Sequence, residues 1–269
     1  MAANKGKDAP IGIFDSGLGG LTVVKEVIKN LPQEDVVYYG DTARVPYGTK
    51  SPKSIVRFSR ENTSVLLHYG VKMVVVACNS SASYAMPALR RDFRLPIFGV
   101  IEPGVDSAVK ATRNRKVGVI ATAATIASGS YEAKLRAALP GVKVFTQACP
   151  LLVPLVEEGR LTGPITRALV REYVRPLLTC GVDTLILGCT HYPLLKSVIR
   201  SVVGKNVKLV DSGQAVAEAI RERLANLDLL SERRRGADYR LVISDRPQNF
   251  ERIAERFLEK KFPITVRRF

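Results

Sequence analysis

A chain that repeats one of its own segments commits itself to two similar folding units. The segment Gly70-Val71-Lys72-Met73-Val74-Val75-Val76-Ala77-Cys78-Asn79 is echoed 111 residues later by Gly181-Val182-Asp183-Thr184-Leu185-Ile186-Leu187-Gly188-Cys189-Thr190. Both are short β-branched or aliphatic runs that fit a strand buried on both faces, as in a parallel sheet covered by helices. Each ends in a thiol followed by a small amide or hydroxyl residue, at the strand end where such sheets open to bind ligands. If the two units face one another, Cys78 and Cys189 lie on opposite sides of whatever binds between them. That arrangement suits taking a proton from one face of a carbon and returning one to the other.

The repeat extends beyond the thiols. Ile11-Gly12-Ile13-Phe14 has a counterpart in Val117-Gly118-Val119-Ile120, offset 106, and Leu31-Pro32 has one in Leu139-Pro140, offset 108. Apolar runs alternate with helix-period stretches throughout, the pattern of successive βαβ units, so the fold class is α/β with parallel sheets of Rossmann-like or flavodoxin-like order. Strands are expected at 11–14, 36–39, 73–77, 97–101, 116–120, 142–145, 184–187, 207–210 and 239–244. Helices are expected at 21–30, 51–69, 131–139, 164–179 and 214–227. Asp15-Ser16-Gly17 and Asp211-Ser212-Gly213 both read as turn and helix-cap chemistry at strand ends.

With 269 residues, 46% of them apolar, the chain can bury a sizeable core. No apolar run approaches the roughly 20 residues of a membrane helix, and Met1 to Pro10 lack a signal-peptide core, so a cytoplasmic protein is expected. The four cysteines show no paired metal spacing, and no disulfide framework is expected. The net charge of +16 is concentrated at Arg90-Arg91, Arg113 to Lys116, Arg233 to Arg235 and Arg267-Arg268. These clusters read mainly as solvated helix faces and loops.

Candidate chemistry concentrates at the strand ends. Gly17-Leu18-Gly19-Gly20 does not match a dinucleotide fingerprint and reads instead as a helix start whose amides approach an anion closely. Cys149 and Cys180 read as space-filling, and His68 as solvated or structural. His191 stands two residues after Cys189 in Gly188-Cys189-Thr190-His191-Tyr192-Pro193, within reach to share a proton with that thiol. Asp15 should share a rim with Cys78, and Glu157 sits in the second unit, making one candidate relay carboxylate per half. No metal spacing and no nucleotide fingerprint implies no cofactor.

Four motifs together carry a family resemblance. Asp15-Ser16-Gly17-Leu18-Gly19-Gly20, Gly40-Asp41-Thr42-Ala43-Arg44-Val45-Pro46-Tyr47-Gly48, Ala77-Cys78-Asn79-Ser80 and the His191 motif resemble the glutamate racemases, in the same order from about Ile11 to Asp211. The family usually has Thr where this chain has Ser80. The resemblance implies cofactor-independent inversion at the α-carbon of glutamate, with Cys78 and Cys189 as the acid/base pair. Asp15, Glu157 and His191 are implied to assist, with Asp41 a further assisting acid. Asp15, Ser16, Tyr47, Gly48, Asn79, Ser80, Thr190 and His191 are implied to bind substrate. It also implies a first domain of residues 1–98 plus 210–269, a second of 99–209, a homodimer, and a supply of D-glutamate for peptidoglycan. An aspartate racemase is the neighbouring alternative. A non-catalytic binding role is the distant one: some members of the resembled family bind DNA gyrase as inhibitors, and the charge of +16 is compatible with that.

Overall fold

The structure is a computed structural model that describes residues 6–233, 236–246, 250–258 and 263–267. Arg234, Arg235 and Arg268 of the basic clusters, and residues 1–5, lie outside the described residues. Among the described residues ten strands form, all paired in parallel: β1 (Ile11–Asp15), β2 (Val36–Gly40), β3 (Met73–Val76), β4 (Ile97–Gly99), β5 (Lys116–Ala121), β6 (Lys143–Ala148), β7 (Thr184–Gly188), β8 (Lys208–Val210), β9 (Tyr239–Ile243) and β10 (Ile264–Val266). They make a six-stranded sheet, β10-β9-β2-β1-β3-β4, and a four-stranded sheet, β6-β5-β7-β8. The chain passes to the second sheet after β4 and back after β8.

The duplication is visible in the strand register. In the first sheet Ile11 pairs with Val36 on one side and Met73 on the other. In the second, Val117 pairs with Val144 and Thr184, which are the same positions advanced by 106, 108 and 111. Packing repeats as well. A Cβ on Gly12 would meet Val71 at 2.9 Å and Leu66 at 3.2 Å, and one on Gly118 would stand 3.4 Å from Leu177 and 3.5 Å from Val182. Leu66 and Val71 are the 111-residue counterparts of Leu177 and Val182, so a helix crosses each central strand over a glycine in both units. The helices concerned, Pro52–His68 and Pro164–Thr179, each stop before a glycine with positive φ, Gly70 at +72° and Gly181 at +74°. That left-handed residue ends a helix at little steric cost only when it is glycine.

Period-two alternation divides the strands of the second sheet between two cores. Val117, Val119 and Ile186 face a core shared with the first sheet, whereas Ile120, Leu185 and Leu187 face a separate cluster on the outer side. Helix Ile101–Ala111 contributes Ile101, Val105 and Ala108 to the shared core and so packs the halves together.

Three expectations needed correction. The strand expected at 97–101 ends at Gly99, because Ile101 already begins a helix. That helix was disguised by Pro103 and Gly104, which a first turn tolerates because its amides have no intrahelical partner. The strand expected at 142–145 runs instead over Lys143–Ala148, and β10 had no counterpart in the sequence reading. Asp211 holds the N-cap position of helix Ser212–Asn226 without a side-chain cap bond; its carboxylate pairs with Lys196 instead. Among the described residues, no helix is long and apolar enough to cross a membrane.

Substituting Gly12→Ala is expected to destabilise by about 1–3 kcal/mol through overpacking against the stiff Val71. Adding Val71→Ala should restore part of that loss. Thermal melts of the two single variants and the double variant check this, and simple additivity would contradict the contact.

Candidate active site

The second sheet and the first four strands of the first share the order 2-1-3-4, whose ligand crevice lies at the carboxyl ends of the two central strands. In the first unit β1 delivers Asp15 and Ser16 there, and β3 runs through Ala77 to Cys78. In the second unit β5 delivers Thr122, and β7 delivers Cys189, Thr190 and His191. The two ends face each other. Ser16, Tyr47, Gly48, Cys78, Asn79 and Ser80 from one unit close a single cavity with Thr122, Val153, Cys189, Thr190 and His191 from the other. The cavity holds about 10 Å³, the space of one water molecule.

Asp15 sits behind that wall, fully buried. Its Oδ2 accepts from the amides of Gly17 (3.1 Å) and Gly20 (3.0 Å), and its Oδ1 accepts from the Thr190 hydroxyl of the other unit (3.1 Å). The anion expected at the glycine-rich helix start is therefore the chain's own carboxylate. Burial raises the Asp15 pKa, against the lowering effect of His191 and these three donors. Tyr38, buried beneath the loop, donates its hydroxyl to the Gly17 carbonyl.

Glycine is required where the units touch. A Cβ on Gly19 would lie 2.4 Å from both His191 Nδ1 and Thr190 Oγ1, and one on Gly48 would lie 2.4 Å from Thr122 Cβ. Real side chains never approach so closely, so these two positions set how tightly the cleft closes.

The two thiols have different surroundings. Cys78 precedes helix Asn79–Tyr84. Burial pushes its pKa up to about 12, with the Asp15 charge adding to the rise, while the Ser81 amide and Ser16 hydroxyl act the other way. Cys78 therefore stands as a neutral thiol at neutral pH. Cys189 Sγ lies 3.8 Å from His191 Nδ1, and His191 Nε2 lies 2.5 Å from Glu157 Oε1. Burial pulls the His191 pKa down, but hydrogen bonding and charge from Cys189 and Glu157 outweigh it and raise it well above the usual imidazole value. The imidazolium thus bridges a carboxylate and the second thiol.

The remaining polar groups supply donors. Asn79 Oδ1 accepts from the Tyr131 hydroxyl at 2.7 Å, which fixes the amide and leaves Nδ2 buried without a partner beside the cavity. Ser80 Oγ lies 2.9 Å from Thr122 Oγ1 and 3.2 Å from Thr125 Oγ1, a hydroxyl cluster spanning the two units. Thr122 and Thr125 escaped the sequence reading, although the 106-residue offset that relates β1 to β5 also relates Ser16 to Thr122. Asp41 does not line the cavity. Its carboxylate accepts from Arg44 Nε at 2.6 Å, from Ser244 Oγ at 3.0 Å and from the Tyr47 hydroxyl. It anchors Tyr47, which does line it, so the expected assisting acid is a positioning group in this geometry. Cys149 is fully buried in the outer core, Cys180 sits at a helix end, and the exposed His68 bonds the Ser64 carbonyl.

Residues 13–220 match the model of the Asp/Glu/hydantoin racemase family. The chain belongs to that family. It is 49% identical to a glutamate racemase of Geobacter metallireducens over 93% of each chain, and 45% identical to one of Syntrophus aciditrophicus over 98% and 97% of the two chains. Its fold matches the crystal structure of glutamate racemase from Francisella tularensis in complex with D-glutamate, with a TM-score of 0.90 and 34% identity over 98% of both chains. The protein is accordingly an isomerase of the racemase type.

Gly48→Ala is expected to hold the units apart by wedging against Thr122, lowering kcat/KM by about 10²-fold. The melting temperature should stay close to the parent's, because the clash lies at the cleft and not in either core. Steady-state assays alongside thermal melts check this, and unchanged activity would contradict the closed geometry.

Proposed function

We propose that the chain interconverts L- and D-glutamate without a cofactor, using Cys78 and Cys189 as the two acid/base groups, and supplies D-glutamate for peptidoglycan in the cytoplasm. The observation that carries this reading is the placement of two thiols at equivalent strand ends of a duplicated fold, both lining one closed cavity. Its close relatives act on glutamate by name, and its Francisella neighbour holds D-glutamate.

The chemistry follows from the environments. For L-glutamate, the Cys189 thiolate beside the His191 imidazolium removes the α-proton, and the neutral Cys78 thiol delivers its own proton to the opposite face. The products are D-glutamate, a Cys189 thiol and a Cys78 thiolate; exchange with solvent restores the starting state. In the reverse direction Cys78 takes the proton of D-glutamate. Charge that builds on the substrate carboxylate as the proton leaves meets fixed donors: Asn79 Nδ2, the Ser80, Thr122 and Thr190 hydroxyls, and the Gly48 amide. Such donors, held in a site closed to water, are worth several kcal/mol each. Since the closed cavity admits only one water molecule, glutamate enters when the units separate and reacts when they close.

In deuterated water, two-base transfer should place solvent deuterium in the product enantiomer far faster than in recovered substrate at early conversion. Cys78→Ser and Cys189→Ser should each lower racemisation by at least about 10²-fold. Equal early labelling of substrate and product, or full activity in either variant, would show a single base at work.

The His191 contacts make a separate pH prediction. A histidine whose folded pKa is raised contributes stability that is fully present below its unfolded value of 6.5 and is lost as pH rises through the folded value. Glu157→Gln removes one cause of the rise, so the alkaline limb of kcat/KM should move to lower pH. The alkaline loss of thermal stability should begin earlier too. A pH profile superimposable on the parent's would show that Glu157 does not set the His191 charge.

A further inference from the structure

At the amino ends of the second sheet's strands, away from the thiols, a cavity of about 540 Å³ opens between the segments that lead into β5, β7 and β8. Four cationic side chains border it, Arg113, Arg200, Lys205 and Lys208, against one carboxylate, Asp183. That carboxylate is already satisfied. Its Oδ1 accepts from the hydroxyls of Thr112 (2.7 Å) and Thr184 (2.9 Å), and its Oδ2 accepts from the amides of Arg113 and Asn114, both at 2.7 Å. Arg200 Nη1 donates to the carbonyls of Gly204 (2.7 Å) and Val207 (2.6 Å), which pins the guanidinium at the cavity wall. Among the described residues, no carboxylate pairs with the side chain of Arg113, Lys205 or Lys208.

The duplication shows that this opening is particular to the second unit. The counterpart of Asp183 is Lys72, and there the chain covers its own sheet edge. Lys72 pairs with buried Glu34 and donates to the carbonyls of Lys7 and Leu229, while the Ser231 amide donates to Glu34 at 2.8 Å. In the first unit a single cation is thus enclosed by a carboxylate and carbonyls. In the second unit the polarity is inverted: a satisfied carboxylate shares a cavity with four cations, and among the described residues no segment covers it.

Like charges gathered around a cavity repel one another until an anion enters, and they attract polyvalent anions most strongly. The volume falls in the range of small-molecule sites. The lining holds no aromatic side chain on which a nucleic-acid base would stack. We propose that this cavity binds a small anion carrying two or more phosphate groups, independently of the racemase site.

Isothermal titration of the full-length protein with inorganic pyrophosphate tests the proposal, with inorganic phosphate and a single-stranded oligonucleotide as comparison ligands. One pyrophosphate per chain is expected, bound more tightly than phosphate and weakened by added salt. The Lys205→Glu/Lys208→Glu double variant should bind at least about 10-fold more weakly, since each charge-assisted bond is worth about that factor. Racemisation by that variant should be unchanged, because both lysines are exposed and lie at the opposite ends of the strands from the thiols. Three results would each overturn the proposal: equal pyrophosphate affinity in the double variant, displacement of pyrophosphate by D-glutamate, or oligonucleotide binding tighter than pyrophosphate and lost in the double variant. The last would make the cavity part of a nucleic-acid surface.

Discussion

The Asp15 carboxylate is the interaction on which the rest of the site depends. It is fully buried, and its two oxygens accept three hydrogen bonds, two from its own glycine loop and one from Thr190 across the cleft. Hydrogen bonds to a charged group contribute about 1.5–3 kcal/mol each, and stranding such a group costs more. Two of these bonds lie within one unit and the third joins it to the other. The carboxylate therefore holds the glycine loop in shape and ties it to the facing unit through one further bond. Tyr38 holds the same loop from below, and the close approach of Gly19 to Thr190 and His191 follows from it.

Closure also accounts for the electrostatics. Cys78 is a neutral thiol because burial and the nearby Asp15 charge disfavour its thiolate. His191 keeps its proton although it is buried, because Glu157 and Cys189 flank its two ring nitrogens. A symmetric backbone thus carries an asymmetric distribution of charge. Duplication supplied two equivalent strand ends, and the residues that differ between them, Ser80 against His191 above all, distinguish the two thiols. The amino ends of the same sheets diverge in the same manner, with Lys72 enclosed in one unit and Asp183 sharing an open cavity with four cations in the other.

Much of this is legible in the sequence. The strand assignments rested on β-branched runs at constant offsets, and the same offsets reappear as identical pairings of Ile11 and Val117. What escaped was masked by local chemistry. Pro103 and Gly104 hid a helix, and β10, only three residues long, carries too few residues for an alternating pattern to show. Asp41 drew attention as an acid in a motif, yet its hydrogen bonds go to Arg44, Ser244 and Tyr47, residues as far as 203 positions apart.

The parallel α/β class, the duplication, and the placement of a thiol at the end of one central strand in each unit are written in the order of residues, because periodicity and repeat spacing are local properties of a chain. The meeting of the two strand ends in one cavity, the bond from Thr190 to Asp15 of the other unit, and the joining of Thr122 and Thr125 to Ser80 arise from the packing of the folded chain. Those contacts join residues 42 to 175 positions apart. They exist because two packed sheets bring their carboxyl ends together, and no short-range pattern in a sequence records such a meeting.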